Sequence, residues 1–142
     1  MAFATEITLI ASRTDTVTVS ASSGTAVTSM DQFRRGTFAL VATGATGSGS
    51  VSIACSIQAY INGYWTDVAR FADVTGNTER ILWDVGGTVN TSTTIEEASQ
   101  SLAITAGSKR AGPWGTQLRA RYSVTVTGTY SITWTVVGVV QS

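Results

Sequence analysis

The sequence predicts an all-β protein: a single antiparallel β-sandwich or jelly-roll-like domain over residues 1–142, with little or no helix. Three observations carry this. Apolar and polar residues alternate with period two along much of the chain, the signature of half-buried strands. Clusters of Gly, Ser and Thr interrupt the alternation at the short intervals a sandwich requires. Only 13% of residues are charged, so the Lys and Glu that usually coat helices are scarce.

Taken in order, residues 6–11 (Ile7 and Leu9 inward) and 16–21 (Val17 and Val19 inward) read as a first hairpin around Arg13-Thr14-Asp15. Residues 1–30 thus form an N-terminal hairpin or arm. Two readings stand for the first nine residues: an arm, apolar at Phe3, Ile7 and Leu9, that adds a strand to a neighbour's sheet edge, or the first strand of the chain's own sandwich. Residues 36–43 carry Phe38, Leu40 and Ala42, and the glycine-rich stretch 44–50 reads as a flexible hairpin tip.

The clearest strand is 51–61, with Val51, Ile53, Cys55, Ile57, Ala59 and Ile61 on one face and Ser52, Ser56, Gln58 and Tyr60 on the other. It ends at Asn62-Gly63, a strong hairpin signal because a type I′ turn needs positive φ at both central positions. A two-residue turn sets Ile61 opposite Tyr64, Tyr60 opposite Trp65 and Ile57 opposite Val68. Tyr60 and Trp65 then pair on the outer face beside Gln58 and Asp67.

Further on, residues 79–85 place Ile81, Trp83 and Val85 inward, and 101–105 place Leu102 and Ile104. The stretch 93–101 is the one candidate for a helical turn. Residues 118–126 and 130–136 read as a closing hairpin with a three-residue loop, Thr127 to Thr129. That loop keeps both apolar sets on one face and pairs Val124 with Ile132 and Tyr122 with Trp134. Beyond Gly138, Val137 and Val139 join Val136 and Val140, so the last strand is expected to be buried on both faces.

Composition bounds the function. Nine basic and nine acidic residues give zero formal net charge, which argues against a nucleic-acid partner and against an anionic membrane. Little charge repulsion between copies suits close packing in an assembly, though a plain neutral protein fits equally. The lone Cys55 allows no intrachain disulfide. The N-terminus lacks the basic and apolar regions of a secretory signal, and no apolar run approaches the length of a membrane span. The expectation is a chain made, and soluble, in the cytoplasm.

No catalytic, metal or cofactor site is expected. There is no histidine, which removes the serine triad, the cysteine–histidine dyad and most zinc and haem sites. Cys55 falls on an apolar strand face and reads as a buried structural thiol. Asp67, Asp73, Glu79 and Asp84 are the carboxylates a glycosidase pair would draw on, but each reads equally as a turn or strand-edge residue. Glu96-Glu97 reads as a solvated pair, and Asn90-Thr91-Ser92 as a sequon without consequence.

The candidate partner-binding residues are Phe3, Ile7, Leu9, Tyr60, Trp65, Trp114, Arg119 and Arg121. Arg119 and Arg121 project from one strand face, either toward an acidic partner or as charges that blunt a sheet edge. Trp134 and Trp83 fall on apolar faces and are expected in the core. Tyr60, Trp65 and Trp114 are expected at the surface, where aromatics anchor protein contacts or stack on sugars.

The module Gly63-Tyr64-Trp65-Thr66-Asp67-Val68, together with Gly112-Pro113-Trp114-Gly115-Thr116-Gln117-Leu118-Arg119-Ala120-Arg121-Tyr122 and the Gly128-Thr129 turn, resembles small head and neck proteins of tailed bacteriophages. The resemblance covers residues 50–140. It implies a capsid decoration, or cement, protein of the virion's outer surface: a non-enzymatic homotrimer or dimer that clamps neighbouring major capsid protein subunits. The competing expectation is a tail, neck or adhesin module that binds a host glycan through Tyr60, Trp65 or Trp114. A glycosidase-like accessory domain is the weaker third.

Overall fold

A computed structural model describes residues 4–61, 63–86, 104–109 and 114–142. Among them are six strands, β1 (Ala4–Asp15), β2 (Val19–Ser23), β3 (Arg35–Ile61), β4 (Tyr64–Arg70), β5 (Thr78–Val85) and β6 (Leu118–Gln141), with one 3-10 turn at Met30–Gln32. The fold is all-β and antiparallel, as the alternation predicted.

Its organiser is a ribbon of two long strands. β3 and β6 pair from Arg35↔Gln141 to Ala59↔Leu118, with one irregularity between Thr43 and Thr46. The ribbon folds over near its middle, where both strands carry glycines. Gly47 and Gly49 have φ of +128° and +132°, a region closed to other residues, and a Cβ on Gly49 would lie 1.9 Å from the Thr127 carbonyl oxygen. The fold-over lets one pair of strands contribute to two facing halves.

In the first half, β1 pairs with the C-terminal part of β6, and β5 with the N-terminal part of β3. In the second half, β2 pairs with the N-terminal part of β6, and β4 with the C-terminal part of β3. Counting each long strand as two, the halves read β1-β6-β3-β5 and β2-β6-β3-β4. This is the order of an eight-stranded jelly roll. Side chains meet between the halves: Tyr122 on Trp134 with ring centroids 5.1 Å apart, and Phe38 on Trp114 at 6.3 Å. A single core runs between them, from Leu9, Phe38 and Leu40 to Ile53, Ile57, Leu118, Ile132 and Trp134.

The two flanking hairpins expected from the sequence do not form. β1 and β2 both pair with β6 rather than with each other, and Val17 between them is 66% exposed instead of inward. Arg13-Thr14-Asp15 is the end of β1, not a turn. Likewise residues 118–141 are one strand, and the stretch 44–50 lies inside β3 rather than at a hairpin tip. A long partner strand with matching glycines stabilises continuous pairing through both bends. Tyr122 and Trp134 still touch, but across the core instead of along a ladder.

The Tyr60↔Trp65 and Ile61↔Tyr64 pairs match the expected turn, whereas a bulge makes Ala69, not Val68, the partner of Ile57. The turn residue Asn62 itself, the candidate helical turn, Glu96-Glu97, the sequon, Leu102 and Phe3 lie outside the described residues. Ile104 is buried, and Lys109 bridges to Ala69 at the edge of β4.

Candidate interaction surface

The outward face of β1-β6-β3-β5 departs most from the sequence reading. β5 was expected to turn Ile81, Trp83 and Val85 inward. Its pairing runs Gly36↔Val85 and then Phe38↔Leu82, so β5 holds one extra residue. The bulge is set by Asp84 at φ +52°. Leu82 and Val85 therefore face the core, and Ile81 and Trp83 turn outward, 41% and 67% exposed.

On β6 the alternation continues to the end of the strand. Val136 and Val140 are buried, while Val137 and Val139, expected to be covered, are 38% and 39% exposed. The register aligns these side chains in two cross-strand rows. One row is Glu6, Val139 and Thr37 with Trp83 beside it; the next is Thr8, Val137, Ala39 and Ile81. Together they line a shallow groove of about 310 Å³.

Charge is confined to the rim. Glu6 lies at the β1 edge and Glu79 at the β5 edge. Lys109 donates from Nζ to the backbone carbonyls of Trp83 and Asp84, and Arg35 pairs with Asp84 at 3.8 Å. An apolar centre inside a charged rim is the anatomy of a protein–protein contact.

The opposite outer face is polar and internally bonded. Arg119 lies 4.2 Å over the Trp65 ring and donates from Nε to Gln58 Oε1 at 2.9 Å. Gln58 in turn donates to Asp67 at 2.8 Å, and Arg121 donates to Ser23 at 3.1 Å. Burial, with the nearby Arg121 cation, holds the Arg119 guanidinium below its ordinary pKa, and Asp67 opposes the shift. Tyr60 and Trp65 form the expected pair at 5.2 Å, both half-buried.

Of the other sequence candidates, Leu9 is 2% exposed and is a core residue, not an anchor. Ile7 lies opposite Gly138 and packs against the core. Trp114 is 6% exposed, with Nε1 donating to the Met30 carbonyl at 3.0 Å; it exchanges roles with Trp83. Cys55 is fully buried, and that burial pushes its thiol far above the ordinary value of 9.0. Three of the four carboxylates considered for glycoside chemistry are engaged elsewhere, Asp67 with Gln58, Asp73 with Arg70 at 3.2 Å and Asp84 with Arg35, and Glu79 is exposed at the β5 edge.

No protein-family model matches the chain, and no curated protein matches it in sequence. Among solved structures it is similar along its whole length to a chain in the structure of infectious bursal disease virus, Gx strain, at 12% identity and a TM-score of 0.46. It spans 38% of that viral chain. The fold assignment rests on the strand pairing above and not on this likeness.

Proposed function

We propose that this protein is a non-enzymatic structural component of a virion that works by repeated protein–protein contact, and specifically that it decorates the outer surface of a bacteriophage capsid. The observation that carries the reading is the exposed apolar sheet face centred on Trp83, Ile81, Val137 and Val139, which has no cover among the described residues. A chain that needed only to fold would gain nothing from an apolar row on an outward strand face, and exposed apolar patches of this kind mark association sites. Jelly rolls host capsid and lectin domains alike, so the fold permits the role without assigning it.

The surrounding surface supports the same reading. Hydroxyl-bearing side chains such as Thr133, Thr135 and Thr43 flank the apolar rows, and they lose little rotamer freedom when covered. Contacts of modest strength repeated over a lattice then add up through multivalency.

Heat resistance of particles tests this. Capsids that carry the protein should release their genome at a higher temperature than capsids stripped of it, and adding the purified protein back should restore the difference. Equal release temperatures in both states would rule out a stabilising decoration.

A further inference from the structure

Building on that association surface, we infer that the occupant of the β1-β6-β3-β5 face is the same face of a second copy, packed sheet on sheet about a two-fold axis. Area, charge and apolar register each favour this pairing.

The first is area. The stretch Gly36–Ala42, where β3 pairs with both β5 and β6, spans about 23 Å at about 3.3 Å per residue and, across four strands about 4.8 Å apart, presents roughly 440 Å² per copy. That is below the roughly 600–1,000 Å² per partner of stable interfaces and fits a weak, reversible pairing. The face is also of the right kind, because outward strand faces stack well on one another at about 10 Å separation.

The second is self-complementarity of charge. Glu6 lies at the β1 edge in the same row as Val139, Thr37 and Trp83, and the Lys109 ammonium lies at the β5 edge, held on the carbonyls of Trp83 and Asp84. A two-fold axis in the plane of contact, running along the central strands, lays the β1 edge of one copy over the β5 edge of the other. Glu6 of each copy then meets Lys109 of its partner, twice by symmetry.

The third is the apolar register. The same axis sets Trp83 of one copy over the Glu6–Val139 side of the other, and Val137 over Ala39. The indole thus leaves water against valine and the aliphatic stem of glutamate. Charged groups stay at the rim, and no charge is buried at the centre.

Sedimentation velocity on the whole chain, from low-micromolar to several hundred micromolar, tests the pairing. The expected result is a reversible monomer–dimer equilibrium that Trp83→Asp weakens by about tenfold or more. At a concentration where both proteins are monomeric, circular dichroism and thermal midpoint should not change, because Trp83 is 67% exposed and lies outside the core.

Glu6→Lys and Lys109→Glu should each weaken the homodimer several-fold, and an equimolar mixture of the two should dimerise better than either alone. Rescue by mixing can arise only between copies. A wild-type chain that stays monomeric, a trimer, or a dimer indifferent to Trp83→Asp would overturn the inference. Particle binding by a strictly monomeric chain would leave the virion role standing while removing the dimer; a dimer that leaves particle heat resistance unchanged would do the reverse.

Discussion

The rings of Tyr122 and Trp134 meet edge to face with centroids 5.1 Å apart, although both residues belong to β6 and are separated along it by the bend. Arg13 reaches over both rings and donates to the Tyr122 hydroxyl. It also forms a bidentate pair with Asp15 at 2.9 and 2.7 Å, which raises its pKa above the ordinary value. Asp15 completes the group by accepting from Trp134 Nε1 at 2.7 Å. The cluster ties β1 to both halves of β6 and holds the folded ribbon closed.

Asp15→Ala should therefore destabilise the protein by about 2–3 kcal/mol. The loss strands a buried indole N–H and a guanidinium. It falls below the roughly 3–5 kcal/mol of a fully buried pair because Arg13 is one-third exposed and stays solvated. Urea unfolding of the variant against wild type measures it, and Asp15→Asn, which keeps an acceptor, should lose less.

The bend itself is testable at one atom. Gly49→Ala would place Cβ 1.9 Å from the Thr127 carbonyl oxygen at φ +132°, so a loss of about 3 kcal/mol or more is expected. Gly63→Ala, also at positive φ (+86°) but facing open space, should cost about 1 kcal/mol. Comparing the two thermal midpoints separates backbone collision from left-handed strain.

Two tryptophans should behave in opposite ways. Trp114→Ala empties a core site and removes the donor to Met30, with an expected loss of about 3–5 kcal/mol. Trp83→Ala should change monomer stability by no more than about 0.5 kcal/mol. Chemical denaturation at a protein concentration low enough to exclude self-association provides the comparison.

That exchange shows how far the sequence could be read. Period-two alternation was enough for the fold class, for the 51–61 core face and for the Tyr60–Trp65 pair, because each depends on local spacing. It failed at β5, where one left-handed residue, Asp84, shifts Trp83 to the other face without any glycine to mark it. It failed again at residues 44–50 and 127–129, because a glycine that permits a tight turn also permits a bend in a continuous strand, and at Arg13-Thr14-Asp15, where pairing with β6 keeps β1 extended. The association face was half legible: the apolar run Val136-Val137-Gly138-Val139-Val140 announces burial on two sides, but only the pairing shows that one side has no cover within the described residues.

Cys55 gives a pH-dependent signature. Its folded-state pKa is raised by burial, so the native thiol stays protonated where the unfolded one ionises. Stability from this group is complete below about pH 8 and is lost as pH rises beyond it. The loss should be about 1–2 kcal/mol between roughly pH 8 and pH 10. Cys55→Ala should lack this component in parallel unfolding curves. The native thiol should also resist Ellman's reagent until the whole domain unfolds.

The proposed decoration role is tested most directly by quantitative mass spectrometry of density-gradient-purified virus particles. If the proposal holds, this chain co-purifies with the particles in copy numbers comparable to the major shell protein, as repeated surface contacts require. Its absence from particles, or its presence in only a few copies confined to one site, would contradict decoration of the shell.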